Sequence, residues 1–134
     1  MHRDEVLFAN EAFYLAFANA DYQAMAGIWS GRGDVVCAHP GWPVLQGRDE
    51  VLASWRRILG NPDQPRVSVH VAGAQPLGDG AALVVCYETM AGTVMVATNV
   101  FEREPEGPRL VCHQAGLCSE PPELPPRPPP GYDA

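Results

Sequence analysis

The 134 residues are 46% hydrophobic, enough to bury one core and too short a chain to call for a second. Nine Lys and Arg against sixteen Asp and Glu give a formal net charge of -7, which disfavours electrostatic capture of nucleic acid or an anionic membrane. No apolar run approaches the roughly 18 residues of a membrane span, and nothing resembles a secretory h-region. The four cysteines, Cys37, Cys86, Cys112 and Cys118, show neither Cys-x-x-Cys pairing nor zinc-type spacing, so they read as reduced thiols of a cytoplasmic protein.

From Arg3 to Ala20 the chain is rich in Ala, Leu and Glu, and Val6, Leu7, Phe13, Tyr14 and Phe17 fall on overlapping helical faces. This predicts a long amphipathic helix with Tyr14 on or beside its buried side. Asp21 is a plausible N-cap for a short second helix carrying Ala24, Met25, Ile28 and Trp29, and Ser30-Gly31-Arg32-Gly33 is a turn. Asp34 to His39 reads as a short strand ended by Pro40-Gly41. A third helix then has both limits marked. Gly47 is its N-cap, Asp49 and Glu50 put negative charge in the first turn, Arg56 and Arg57 put positive charge in the last, and Gly60 supplies a left-handed stop. Val51, Leu52, Trp55, Ile58 and Leu59 give that helix an apolar stripe.

Beyond a loop at Asn61 to Pro65, Arg66 to Ala74 alternates like a half-buried strand. Ala81 to Met90, Thr93 to Glu104 and Arg109 to Ser119 are three more strands joined by hairpins at Ala91-Gly92 and Pro105 to Pro108, with connections that imply antiparallel pairing. In the longest strand, Met95, Ala97, Asn99 and Phe101 share one face, and Val94, Val96, Thr98 and Val100 share the other. Two apolar faces predict cover on both, by helices on one side and by a second copy of the chain on the other, a homodimer through Val94, Val96, Thr98 and Val100. The stretch Glu120 to Ala134, EPPELPPRPPPGYDA, cannot build a core and reads as a disordered or surface-draped tail with a PxxP-like pattern, so the folded domain is placed at residues 1–119 and the tail at 120–134.

The order of elements, the Tyr14 helix followed by Asn19-Ala20-Asp21, the strand ending His39-Pro40, the Gly47-Arg48 helix start and the run Thr98-Asn99-Val100-Phe101 together resemble the NTF2-like superfamily, most nearly its SnoaL-like and ketosteroid-isomerase-like branch. The resemblance covers roughly residues 3–119. It implies an α+β cone in which a strongly curved antiparallel sheet wraps three N-terminal helices around an apolar pocket, its convex side often dimerising. It implies that Tyr14 and Asn99 are donors to a developing enolate oxygen and that His39 takes the place of the proton-shuttling carboxylate. With His and Asn at two of these positions, the set looks more like the dehydratase members than the steroid isomerases.

The substituted set is chemically sensible. A neutral imidazole moves protons near pH 7, and an amide N–H stabilises an oxyanion. His39, Tyr14 and Asn99 are therefore candidate catalytic residues for proton abstraction beside a carbonyl, leading to isomerisation or dehydration without a cofactor. Against this, each has a purely structural reading, as does the whole fold if it serves only as a ligand-binding or dimerisation module. Candidate ligand contacts are Trp29, Trp42, Trp55, Tyr87, Phe101 and His113, with the indoles alternatively plain core. Alternation puts Tyr87 inward and Glu88 outward, and a one-residue slip exchanges them. His39, His70 and His113 share no ligand spacing on one element, so no metal site is expected.

Overall fold

The computed structural model describes residues 1–126; the rest of the Pro-rich tail lies outside the described residues. The helices are α1 (Arg3–Ala18), α2 (Tyr22–Ile28) and α3 (Arg48–Leu59). The strands are β1 (Val36–Ala38), β2 (Leu45–Gln46), β3 (Ser68–Pro76), β4 (Ala81–Met90), β5 (Thr93–Glu104) and β6 (Gly107–Leu117). They form one open sheet in the order β2-β1-β6-β5-β4-β3, with the helices packed on its inner face: an α+β cone.

Each helix is bounded by local chemistry. Val6, Asn10, Phe13, Tyr14 and Phe17 are the buried stripe of α1, spaced to recur on one side of a helix. The Asp21 carboxylate accepts the Ala24 N–H at 3.0 Å and starts α2. Gly47 precedes α3 at φ 99°, a backbone state that favours glycine, and its N–H reaches the Val35 carbonyl at 2.8 Å. Gly60 does not supply the left-handed stop expected of it, since its φ is −81°. Glycine is required there for clearance instead, because a Cβ would lie 2.9 Å from the Arg56 carbonyl oxygen.

Strands β3 to β6 form the expected antiparallel meander, with register shifts at Val71/Gly73 and Val100/Phe101 where bulges bend the sheet. Two features differ from the sequence reading. β1 runs parallel to β6, pairing Cys37 with His113, so the sheet is mixed. β2, too short to carry a pattern, folds back on β1 after the Pro-Gly-Trp-Pro turn. Nonlocal pairing of this kind leaves no trace in local alternation.

In β4 the inward residues are Ala82, Val84, Cys86 and Glu88, all buried, whereas Leu83, Val85 and Tyr87 face out. The inward placement of Tyr87 and outward placement of Glu88 are thus reversed. On the outer face Val94, Thr98 and Val100 are half-buried and Val96 is 43% exposed. The described part of the tail lies back against the sheet. Leu124 is half-buried, and His70 Nε2 meets the Pro125 carbonyl at 2.7 Å. Among the described residues no helix is long and apolar enough to cross a membrane.

Candidate functional site

The cone encloses a cavity of about 360 Å³ between α3, the β1–β2 turn and the inner face of the sheet. Its walls are Phe17, Trp42, Ile58, Met90 and Met95, its deep polar groups are His39, Glu88 and His113, and Arg57, Asn61 and Gln64 also line it. His39 follows directly on β1, Glu88 comes from β4 and His113 from β6, so three elements distant in sequence bring one polar group each to the same hollow.

The hydrogen bonds fix which valences are free. The Ser54 hydroxyl donates to the Val51 carbonyl at 2.6 Å, so at 2.9 Å from His39 it must accept the Nε2–H. The lone pair of His39 is then on Nδ1, whose neighbour is Cys37 Sγ at 3.9 Å, the outer limit for a sulfur contact. His113 Nδ1 donates to Asn99 Oδ1 at 2.5 Å, leaving the lone pair on Nε2, 3.9 Å from Glu88 Oε2 and beyond hydrogen-bond reach. Tyr14 donates to Glu88 Oε2 at 2.6 Å and itself accepts from Asn99 Nδ2 at 3.1 Å; the same amide donates to Asn10 Oδ1 at 2.9 Å.

Burial sets the charges. Desolvation raises the Glu88 carboxyl to about 7, and the Tyr14 hydroxyl bond only partly offsets this. Desolvation lowers His39 to about 4, and with the added repulsion of His39 it lowers His113 to about 3. Burial and the neighbouring Glu88 hold the Tyr14 hydroxyl well above its usual value, so it stays a donor. Near neutral pH the contact between Glu88 and His113 is therefore not an ion pair. It joins a half-ionised carboxyl to a neutral imidazole.

Of the sequence-predicted residues, His39, Trp42 and His113 line the cavity. Tyr14 and Asn99 are brought together with them but sit behind the wall, fully buried, with their donors spent on Glu88, Asn10 and Tyr14 itself. In this arrangement neither has a donor free for a ligand in the cavity, contrary to the oxyanion-donor expectation. Trp55 is buried edge-on to His39, with ring centroids 4.9 Å apart, and supports it from behind. Trp29 and Phe101 are core, and Tyr87 is on the opposite face because β4 is in the other phase. His70 stands opposite Tyr87 on that outer face, so the three imidazoles are not brought together.

Glu88 was missed, and a signal for it existed. The two-residue turn Ala91-Gly92 sets Met90 opposite Thr93, hence Glu88 opposite Met95 and Val84 opposite Asn99. Cross-strand partners share a face, so Glu88 must lie on the same side as Asn99.

Residues 6–118 match the family model of the SnoaL-like domain. The chain belongs to the SnoaL-like family of the NTF2-like superfamily. Among solved structures, this SnoaL-like chain is similar to a candidate dehydratase of the NTF2-like family from Streptomyces avermitilis, with TM-score 0.75, 34% identity, and coverage of 86% of this chain and 94% of that one. It is also similar to a candidate calcium/calmodulin-dependent protein kinase type II association domain from Thiobacillus denitrificans, with TM-score 0.76, 30% identity, and coverage of 83% and 93%. Among curated proteins it is 28% identical over 98 residues to the F-box protein SKIP8 of Arabidopsis thaliana, covering 72% of this chain and 42% of that protein, so it spans about two-fifths of that relative's length.

Proposed function

We propose that this SnoaL-like protein catalyses a cofactor-independent proton transfer on a small apolar carbonyl compound, with dehydration of a β-hydroxy ketone as its best-fitting reaction. The observation that carries this reading is the inventory of free valences around the cavity floor: one carboxyl tuned to about 7 and two imidazole lone pairs, with Ser54, Tyr14 and Asn99 already partnered and the buried Trp55 N–H the one donor left over among them. A carboxyl of that strength exchanges protons efficiently at neutral pH. In its acid form Glu88 protonates the departing hydroxyl. The lone pair on His39 Nδ1 or His113 Nε2 removes the proton from the carbon beside the carbonyl, and an alkene and water result. On a substrate without a leaving hydroxyl the same traffic, with Glu88 protonating the carbonyl oxygen, gives isomerisation. A site built mainly to hold an oxyanion would need free N–H or O–H donors, and Tyr14 and Asn99 have none left.

The test is dehydration of 3-hydroxy-1-tetralone, whose product 1-naphthol is fluorescent. Turnover that falls to background in Glu88→Gln supports the reading. Equal rates in the two proteins, or no turnover by the wild type across a panel of β-hydroxy ketones, overturn it. The noncatalytic alternative, a ligand-binding or assembly module, is favoured by the similarity to a candidate kinase association domain. It gains if ligands bind without turning over.

We also propose a homodimer through the outer face of β5, where Val94, Val96, Thr98 and Val100 present a continuous apolar row. Its test is the mass of the protein in solution.

A further inference from the structure

The cavity is lined by two sets of polar groups of different character. Glu88, His39 and His113 are buried, whereas Arg57 and Asn61 are exposed and Gln64 is half-buried; the rest of the lining is mainly aromatic and aliphatic. Two observations bear on the exposed set. The Arg57 guanidinium lies over the Trp42 ring, 5.1 Å from its centroid, and among the described residues it has no carboxylate partner. Arg57 is thus unlike Arg32, which pairs with Asp34 and Glu102, and Arg103, which pairs with Glu5. Independently, the Asn61 side-chain Oδ1 accepts the Asp63 N–H at 3.0 Å, which leaves its amide N–H groups as the free valence. Gln64 likewise spends an N–H on Met90 Sδ at 3.7 Å, which ties this residue to the cavity wall. The solvent side of the cavity thus offers a cation and an amide donor, and Asp63 is not among its lining residues.

From this juxtaposition of Arg57, Asn61 and the Trp42 ring we infer that the ligand is an amphipathic acid: a flat apolar body with its carbonyl or hydroxyl at Glu88 and a carboxylate at Arg57. The inference rests on the pocket reading above and adds the substrate class. A guanidinium held over an indole keeps its N–H edge free for an oxyanion. The body lies against Trp42, Ile58, Met90 and Met95. The overall negative charge of the protein repels anions at long range, so any preference for an acid has to come from this local pair.

The experiment compares two probes of one shape, 6-acetyl-2-naphthoate and 2-acetylnaphthalene, with binding measured by calorimetry and by quenching of indole fluorescence. The acid is expected to bind about fivefold tighter than the neutral ketone, the scale of a partly exposed ion pair. Arg57→Gln is expected to erase that preference, so that the two probes bind alike. Arg56→Gln, one residue along on α3 and stacked over Tyr22 outside this cavity, is expected to change neither affinity. Equal affinities in the wild type, or a preference that survives Arg57→Gln, overturn the carboxylate anchor and leave the pocket reading intact. Failure of both probes to bind overturns both together.

Discussion

Replacing Glu88 by Gln changes how stability depends on pH, and the size follows from one group. In the folded chain the carboxyl sits at about 7, against an ordinary value of 4.5. A raised acid binds its proton more tightly folded than unfolded, so its stabilising contribution is complete below about 4.5 and is lost as pH rises through about 7. At about 1.4 kcal/mol per pH unit, the loss over that window is about 3 kcal/mol. Glutamine keeps an oxygen for the Tyr14 hydroxyl at nearly the same volume and has no proton to lose. Urea unfolding of both proteins at intervals from pH 4.5 to 8 measures the effect. The difference between them is the decisive quantity, because the histidines titrate in both. Glu88→Gln is expected to gain about 3 kcal/mol on the wild type across the range, mostly between pH 4.5 and 7. A difference that stays constant with pH would show that Glu88 is solvated like an ordinary carboxylate, and the proton-carrier assignment would go with it.

Further outcomes follow from the same contacts. His39 and His113, lowered to about 4 and about 3, stabilise the fold above the ordinary imidazole value of 6.5 and withdraw that support as pH falls towards 4. Two imidazoles outweigh the opposite trend of one carboxyl, so the wild type should lose stability on acidification below pH 6.5, and a His39→Gln, His113→Gln double variant should lose less; an equal loss counts against buried neutral histidines. Ser54→Ala leaves the buried Nε2–H of His39 without its acceptor and should cost about 1–2 kcal/mol in urea unfolding. Asn99→Ala strips His113, Tyr14 and Asn10 of a shared partner and should cost about 2–4 kcal/mol. Val96→Lys should convert a dimer to a monomer by light scattering, and an unchanged mass would remove β5 from the interface.

The parts of this fold that were legible in sequence are those governed by neighbours in the chain. α3 is bounded by residues whose capping and charge have local causes, and β4 and β5 match their predicted limits because a two-residue turn separates two unbroken apolar runs. The phase of β4 was harder, since Ala82, Val84 and Cys86 are as apolar as Leu83, Val85 and Tyr87, and alternation alone does not choose between them. A lone glutamate among them is read as solvent-facing by default. Only the register passed across the turn from Asn99 corrects this, which is why the buried carboxyl of the cavity escaped a strand-by-strand reading. His39 was legible as a strand-end imidazole. Its protonated nitrogen was not, because Ser54 lies on another element.

The side-by-side, same-direction alignment of β1 with β6 has a consequence for biogenesis. Cys37 finds its partner His113 only once synthesis has reached β6, so His39 and His113 cannot meet before then. Until β6 arrives, the hollow lacks the wall that carries His113, although α1 already has β3 and β4 to pack against. A nascent chain halted before Gly107 should therefore be a client for chaperones, with no ligand able to rescue it.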